Sequence, residues 1–187
     1  MTRRLYIANM ISADGYFEGQ GHDLSWHNVD AEYNDYSIDM LESVDRLLFG
    51  RKTWELMAAY WSTEQAKKSD PHVAGLMNSL PKYLCSRTLK KADWQNSHIV
   101  REPVLDTIRA WKKEEGRDIA VFGSSELCKS LLEAGLVDEL RLILNPVLLG
   151  RGHSLFEGLG ARYELTLMGL QSFSSGNILL RYKPRPA

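Results

Sequence analysis

Apolar and polar positions along the chain follow two periods, one typical of buried strands and the other of helices. Strands are predicted at residues 4–12, 46–49, 82–85, 98–100, 119–122, 139–144, 162–171 and 178–182. Helical spacing predicts helices at 31–44, 53–61, 104–115 and 125–134. Residues 66–80 are partly helical and are interrupted by Pro71, with Pro81 directly after them. The pattern predicts about four helices and about eight strands.

The order of these elements predicts an α/β fold. Strands alternate with helices in the first part of the chain, which favours a parallel sheet with right-handed crossovers. A short SSGN turn at 174–177 separates the last two strands. These two strands are therefore expected to form an antiparallel hairpin at the sheet edge. A length of 187 residues suits a single domain that spans residues 1–187.

Composition narrows the possible partners. The formal net charge of −1 gives no reason to expect nucleic acid or an anionic membrane as a partner. We find neither a signal peptide nor an apolar stretch of about 20 residues, so a cytoplasmic location is expected. Cys85 and Cys128 do not form a disulfide framework or a motif with metal-ligand spacing. We therefore expect two reduced thiols and predict no metal site.

The segment LLFGRKTWELM, residues 47–57, is the first candidate anion site. A buried strand ends at Gly50, and a helix is predicted to start near Thr53. Unpaired N–H groups at a helix N-terminus favour anions, and Arg51 and Lys52 add two cations at the same point. Thr53 could cap the helix or donate its hydroxyl to a phosphate. The alternative is a capped helix beside a solvated basic pair.

Two further segments resemble the first in their position after a strand. Gly123 follows a β-prone run, and Ser124 and Ser125 then precede a helix. Small residues allow backbone N–H groups to approach a pyrophosphate, although a plain turn with a serine cap explains them as well. The run Ser86-Arg87-Thr88 follows another strand, and the guanidinium of Arg87 could bind a ribose 2′-phosphate. All three segments follow parallel strands, so they are expected to share one sheet edge.

Candidate substrate residues lie mainly around the polar segment 18–30, which is predicted to be a long loop. Asp30 precedes a helix, where it could cap the helix or orient a pterin- or pyrimidine-like ring. Asp14 could contact substrate or simply form an Asp-Gly turn. Trp26 could be a substrate platform or a packing anchor, and Tyr60 could line a substrate pocket or pack in the core. The loop histidines His22 and His27, and His153 in a later glycine-rich loop, are possible proton carriers or solvated side chains.

The stretch GRKTWE, residues 50–55, resembles the GR-x-T-(W/Y)-E signature of dihydrofolate reductases. The other motifs follow in the same order: S-x-D-G at 12–15, a Trp-bearing loop, SRT at 86–88 and GSSEL at 123–127. The long segment 137–158 resembles the C-terminal reductase domain of the riboflavin pathway, the RibD C-terminal family. The resemblance covers nearly the whole chain.

The resemblance implies a dihydrofolate-reductase-like three-layer αβα domain with a mixed, mostly parallel sheet and NADPH across the strand ends. Asp30 corresponds to the reductases' helix-start carboxylate and is the candidate catalytic residue. Asp14, Trp26 and Tyr60 are the candidate substrate residues. The expected cofactor contacts are Met10, Arg51, Lys52, Thr53, Ser86, Arg87, Thr88, Gly123, Ser124, Ser125, Glu126 and Leu127. The implied function is NADPH-dependent hydride transfer to a small pyrimidine- or pterin-like heterocycle, as in 5-amino-6-(5-phosphoribosylamino)uracil reductase.

Two departures from the family pattern change these expectations. Dihydrofolate reductases have a cis-linked glycine pair where this chain has Gly123-Ser124, and the serine predicts a different local backbone. The riboflavin-pathway reductases carry a Lys and a Glu where this chain has Ala8 and Phe122. Loss of these two polar substrate contacts leaves a non-catalytic NADPH- or ligand-binding protein as the alternative function. As in relatives, a homodimer is expected, with the apolar segment 140–149 as its face unless that segment is buried in the sheet.

Overall fold

An eight-stranded sheet crosses the centre of the protein in this computed structural model, which describes residues 3–186. Its strands are β1 (Leu5–Ser12), β3 (Val44–Gly50), β4 (Lys82–Cys85), β5 (Ser97–Val100), β6 (Asp118–Val121), β7 (Glu139–Asn145), β9 (Tyr163–Ser172) and β10 (Ile178–Pro186). Their order across the sheet is β5-β4-β3-β6-β1-β7-β10-β9. The first six strands in this spatial order pair in parallel, whereas β10 pairs antiparallel with both β7 and β9. The mixed sheet and the antiparallel hairpin at its edge are confirmed.

Helices cover both faces of the sheet. They are α1 (Ala31–Glu42), α2 (Arg51–Trp61), α3 (Glu64–Ser69), α4 (Pro71–Ser79), α5 (Val104–Trp111) and α6 (Ser125–Glu133). One apolar core lies between the sheet and α5 and α6, and includes Ile108 and Leu131. The second lies between the sheet and α1, α2 and α4, and includes Leu41, Trp54 and Met77. The three-layer αβα arrangement follows, because each apolar helix face is buried against the sheet.

The structure adds two short strands within the described residues that the pattern did not predict. β2 (Tyr16–Gly19) and β8 (Gly152–Ser154) form a separate antiparallel ribbon. Strands of three or four residues carry too few positions for a two-residue period to be recognised. β2 occupies the start of the segment that was predicted to be a loop from residue 18.

Two further details differ from the predictions. The ambiguous segment 66–80 forms most of two helices, α3 and α4. Residues 140–145 of the segment 140–149 lie in β7, between β1 and β10, where most of them are buried and do not form an exposed dimer face, whereas Leu148 beyond β7 is 76% exposed. Among the described residues, we find no helix with the length and apolar character needed to cross a membrane.

Candidate functional site

A cleft of ≈ 330 Å³ opens at the carboxyl ends of the parallel strands. Gly50, Cys85 and Val100 are register partners across β3, β4 and β5, and all three line this cleft. Ligands of open α/β sheets bind outside the carboxyl ends of their strands. We call this feature the strand-end cleft; it is lined by Gly50, Arg51, Cys85, Ser86, Arg87, Val100, Glu102, Val104, Leu105, Ser124, Glu126, Leu127 and Ser130.

The strand-end cleft brings together residues from all three segments that were predicted to bind anions. Arg51 comes from the segment 47–57, and Ser86 and Arg87 come from the run 86–88. The segment that begins at Gly123 contributes Ser124, Glu126 and Leu127. The expectation that the three segments share one sheet edge therefore holds in the structure. What these residues bind stays a prediction.

The three helices that begin at the strand-end cleft have no side-chain cap at their N-termini. The N-cap residues are Gly50 for α2, Pro103 for α5 and Ser124 for α6, and none accepts a capping hydrogen bond. In contrast, the other three helices are capped by the side chains of Asp30, Thr63 and Asp70. The first N–H groups of α2, α5 and α6 thus have no internal side-chain acceptor, which suits an anionic ligand.

A close backbone approach joins the first turns of α2 and α6. The Gly50 N–H donates to the carbonyl oxygen of Gly123 at 2.8 Å. A Cβ at Gly50 would lie 2.4 Å from Ser124 Oγ and 2.9 Å from Ser124 N. Only glycine fits at position 50 without displacing Ser124, so Gly50 sets the spacing between the two helix N-termini.

The peptide bond between Gly123 and Ser124 is cis. The prediction that Ser124 would change this part of the family backbone is therefore wrong. Gly123 has φ of +104°, a conformation that favours glycine. A Cβ at Gly123 would lie 3.1 Å from Thr53 Oγ1 and 3.5 Å from Asn9 Nδ2, so three chain segments meet at this point.

Two guanidinium groups lie on the rim of the strand-end cleft. The Arg87 side chain is 84% exposed, and its Nε lies 3.6 Å from Oε1 of Glu102. Arg51 donates from Nη1 to Thr88 Oγ1 at 3.3 Å, and its Nε lies 3.6 Å from Oε1 of Glu55. These contacts are long for charge-assisted hydrogen bonds. Both arginines can therefore turn toward an anion with little loss of internal bonding.

The remaining predicted cofactor residues are not part of the cleft lining. Thr53 is the third residue of α2, which begins at Arg51, so the predicted capping role of Thr53 is wrong. Lys52 is exposed in the first turn of α2, and Ser125 is the first residue of α6. Met10 is 8% exposed and belongs to a small apolar cluster with Ile143, Phe173 and Leu179.

Asp30 caps helix α1, as one of its two interpretations predicted. Its Oδ1 accepts from the Tyr33 N–H at 2.8 Å. Its Oδ2 accepts from the Ser175 N–H at 3.0 Å and contacts Ser174 Oγ at 3.4 Å. The hydrogen bond from Tyr33, followed by those from the serine turn, lowers the pKa of Asp30 below its ordinary value. An ionised carboxylate with three internal donors is a structural clamp, and its catalytic role stays a prediction.

Asp14 likewise holds the loop at residues 149–150 in place by accepting hydrogen bonds from its backbone. It accepts from Ser12 Oγ at 2.7 Å, from the Gly150 N–H at 2.7 Å and from the Leu149 N–H at 3.1 Å. The Ser12 hydroxyl and then the Gly150 amide lower the pKa of Asp14. The Gly15 N–H donates to Ser12 O at 2.9 Å, so the turn interpretation of Asp14 is confirmed. No described contact directs this carboxylate toward the strand-end cleft.

The aromatic candidates differ in their packing. Trp26 packs against the Met10 cluster and donates from Nε1 to Asp23 O at 3.0 Å. The neighbouring His27 ring meets Trp26 edge-on at 4.5 Å, and burial lowers its pKa to about 4. His27 is therefore neutral near pH 7, which weakens its case as a proton donor. Tyr60 is 44% exposed and contacts Trp61 edge-on, outside the strand-end cleft lining.

Several residues that lie in candidate sites or have unusual surroundings in the structure were not identified from the sequence. Glu102 lines the strand-end cleft. The sequence could have indicated Glu102, because it follows β5, which also ends at this sheet edge. Asn9 donates from Nδ2 to the Phe122 carbonyl at 3.3 Å, and its Oδ1 is buried without a hydrogen-bond partner among the described residues. The sequence could have indicated Asn9, because it is a polar residue inside an apolar strand. Glu18, His22 and His153 converge in a separate cluster, although no metal site was predicted.

Comparisons with known proteins agree with this geometry. The chain is 31% identical over 180 residues to the uncharacterized protein YyaP of Bacillus subtilis, covering 96% of this chain and 94% of that protein. A solved Shewanella sp. PV-4 protein, named for an inferred role in riboflavin biosynthesis, superposes with a TM-score of 0.77 at 19% identity and covers 97% of this chain and 99% of its own. Dihydrofolate reductase of Enterococcus faecalis superposes with a TM-score of 0.66 at 15% identity, with coverage of 99% and 98%.

At these identities the two superpositions show a shared fold, which is the dihydrofolate-reductase-like one. The family assignment comes from the sequence itself. The profile of the RibD C-terminal domain matches residues 3–179, which is nearly the whole chain. The chain belongs to the RibD C-terminal domain family.

Proposed function

We propose that this protein is an NADPH-dependent reductase whose cofactor binds in the strand-end cleft. The observation that carries the proposal is the group of three uncapped helix N-termini that meet there, while the three other described helices are capped. Backbone N–H groups at helix starts are suited to a pyrophosphate. The family assignment supports the reductase class.

The chemistry of the donor set fits a phosphorylated dinucleotide. The first turns of α2 and α6, spaced by Gly50, would hold the pyrophosphate together with Ser124 and Ser125. Arg87, which is exposed and only loosely paired, would take the 2′-phosphate through two parallel hydrogen bonds. Ser86 and Thr88 flank it at the adenosine end. Arg51 and Lys52 would neutralise the remaining phosphate charge, and Thr53 would donate its hydroxyl to a phosphate oxygen.

NADPH supplies the hydride when it is bound, so the chain has to orient the substrate and limit water. Asp30 enters the proposal as an ionised acceptor for a ring N–H. It is not the proton donor, because its hydrogen bonds lower its pKa. Asp14, Trp26 and Tyr60 remain the proposed substrate neighbours. The substrate class that we propose is a small pyrimidine- or pterin-like heterocycle.

A second candidate function is NADPH or ligand binding without catalysis. Ala8 is 5% exposed and lies in an apolar core cluster, and Phe122 packs against Phe49 with ring centroids 5.7 Å apart. Neither position offers the polar group that the riboflavin-pathway reductases carry there. Asp14 and Asp30, the two candidate carboxylates, are both engaged by internal donors, which leaves each with fewer lone pairs for a substrate ring.

The test combines binding with turnover. Fluorescence titration of the full chain with NADPH and NADH should show saturable binding and a preference for NADPH. NADPH oxidation is then followed with pterin, pyrimidine and quinone substrates. Turnover of any of the heterocycles supports the reductase, and NADPH binding with no turnover supports the second candidate. Absence of binding by both nucleotides contradicts both.

We also propose a homodimer in the cytoplasm. The outer strand β9 exposes large apolar side chains, and an edge strand also offers unpaired backbone groups to a second copy. These side chains are Leu165, Leu167, Met168 and Leu170, which are 40–63% exposed. Two free cysteines are consistent with a reducing compartment. Sedimentation velocity should show a dimer that dissociates in the double variant Leu167→Glu/Leu170→Glu, and a monomeric wild type would contradict the proposal.

A further inference from the structure

Two histidines and a carboxylate meet on the ribbon formed by β2 and β8. The Nδ1 atoms of His22 and His153 lie 2.9 Å and 2.8 Å from the same oxygen, Oε1 of Glu18. The two imidazole rings stack with centroids 5.7 Å apart. The Glu18 side chain is 10% exposed, so this carboxylate is almost buried beneath the two more exposed rings. None of the three residues lines the strand-end cleft.

The fold brings His153 to Glu18 through an unusually close pairing of backbones. Glu18 and His153 are register partners in the antiparallel ribbon. The adjacent Gly152 has φ of +157°, and a Cβ there would lie 2.2 Å from the Glu18 carbonyl oxygen. Any other residue at position 152 would force the two strands apart. Gly152 therefore acts as the spacer that holds His153 against the carboxylate.

A second local device turns His22 back toward Glu18. The Gly19 N–H donates to the Asp23 carbonyl at 2.8 Å and closes the loop between them. His22 has φ of +65°, a conformation that is uncommon for a residue with a side chain. Such a conformation persists where the surrounding structure holds it and often accompanies a function. The loop thus presents the imidazole at the face of Glu18 that His153 also occupies.

The geometry points to a binding site for a divalent transition metal ion such as Zn²⁺, with Nδ1 of His22, Nδ1 of His153 and a Glu18 oxygen as ligands. One ligand atom from each residue lies within 4.8 Å of the others. Two histidines and one glutamate are a zinc donor set that leaves a fourth position for water. The exposed rings leave this position open to solvent. Mg²⁺ and Ca²⁺ are disfavoured, because both prefer all-oxygen ligands.

Metal binding at this site would replace two hydrogen bonds with coordinate bonds. Each imidazole would coordinate through Nδ1 and carry its ring proton on Nε2, so a neutral ring changes tautomer without a net loss of a proton. The ion would then join the loop after β2 to the connection between β7 and β9. Asp14, in the turn before β2, already binds the same connection through Leu149 and Gly150. A bound ion is thus expected to stabilise the ribbon without any contact in the strand-end cleft.

The test uses the full chain without an affinity tag, because a polyhistidine tag would itself bind metal. Calorimetric titration with Zn²⁺ should show one site per chain, and Co²⁺ should give the visible absorption of a four-coordinate ion. His22→Ala and His153→Ala should each weaken binding at least about tenfold, the smallest loss seen when even the outer partners of metal ligands are removed. His72→Ala is the matched control, because His72 forms an exposed pair with Glu42 at 3.5 Å.

Two further measurements keep the proposal open to refutation if a variant is unstable. Zn²⁺ should raise the melting temperature of the wild type and of His72→Ala but not that of His22→Ala/His153→Ala, and Mg²⁺ should raise none of them. Nitrogen-15 spectra should show zinc-dependent shifts at Nδ1 of His22 and His153. Lack of saturable binding, retention of the site in the double variant, or coordination through Nε2 would overturn the proposal.

Discussion

The strand-end cleft and the loop side, which comprises residues 14–30 and the 173–177 turn, use their charged groups in opposite ways. At the cleft, Arg87 is 84% exposed with a partner at 3.6 Å, and three helices begin without side-chain caps. On the loop side, Asp14 and Asp30 each accept hydrogen bonds from two backbone N–H groups and a serine hydroxyl. Charged groups whose contacts are long and exposed can turn toward a ligand, whereas charged groups that accept several internal hydrogen bonds hold the structure in place.

This difference explains why the proposed cofactor binding has more support than the proposed action on a substrate. The cofactor side offers N–H groups and guanidinium groups that an anion would satisfy. The carboxylates on the loop side already hold a helix and a turn in place, so they can act on a substrate only with the lone pairs that remain. The following predictions test that contrast, from the largest expected effect to the smallest.

Arg87→Ala should produce the largest effect on cofactor binding. Loss of a charge-assisted hydrogen bond costs about 1.5–3 kcal/mol, which corresponds to about a tenfold to hundredfold weaker affinity for NADPH. Affinity for NADH, which lacks the 2′-phosphate, should change little. Fluorescence titration measures both. Arg162→Ala is the control, because its side chain is 82% exposed and lies outside the cleft lining. Equal losses for NADPH and NADH would contradict the role given to Arg87.

Gly50→Ala should damage the cleft through its backbone spacing. The added methyl would lie 2.4 Å from Ser124 Oγ and push α2 and α6 apart. Overpacking of this kind destabilises by about 1–3 kcal/mol, and NADPH affinity should fall with it. Denaturant unfolding and nucleotide titration measure the two effects.

Gly75→Ala is the matched control for this substitution. Gly75 lies inside α4, and a Cβ there would meet nothing within 4 Å. The alanine should stabilise the protein by about 0.5–1 kcal/mol and leave NADPH affinity unchanged. If the two substitutions behave alike, the spacing argument for Gly50 is wrong.

His27 should make the loop side sensitive to mild acid. Burial lowers the pKa of His27 from 6.5 to about 4, so between these values the unfolded chain binds a proton that the folded chain does not. Stability is therefore lost as the pH falls from about 6.5 to 4, by about 1–2 kcal/mol after allowance for partial solvation. His27→Gln should flatten this part of the stability profile in denaturant titrations. The exposed His98, replaced in His98→Gln, serves as the control.

Glu102→Gln should have the smallest effect on NADPH affinity, and the affinity should rise rather than fall. Loss of the exposed pair with Arg87 frees the guanidinium, and such pairs contribute about 0.2–1 kcal/mol. NADPH affinity should therefore rise by up to about fivefold. A carboxylate can instead accept a hydrogen bond from a ribose 2′-hydroxyl and favour NADH. A wild type that prefers NADH, with the preference lost in this variant, would reverse our assignment of the cleft.

Much of the fold could be predicted from local patterns. The strand at 82–85 matches β4, and the helices predicted at 31–44 and 125–134 match α1 and α6 with small differences at their C-terminal ends. These elements have apolar periods long enough to identify, or clear glycine and proline boundaries. β2 and β8 were missed because each is short and is stabilised by pairing with a distant segment.

The sequence by itself determined the order of the longer strands and helices, the α/β class and the three glycine-, serine- or arginine-bearing segments that follow parallel strands, because periodicity and residue type are local properties. Only the tertiary structure decided which polar groups remain free. It aligned Gly50, Cys85 and Val100 at one sheet edge, engaged Asp30 with Ser174 and Ser175, and brought His153 to Glu18. Contacts between residues that are distant in the sequence depend on strand register and packing, which local patterns do not encode.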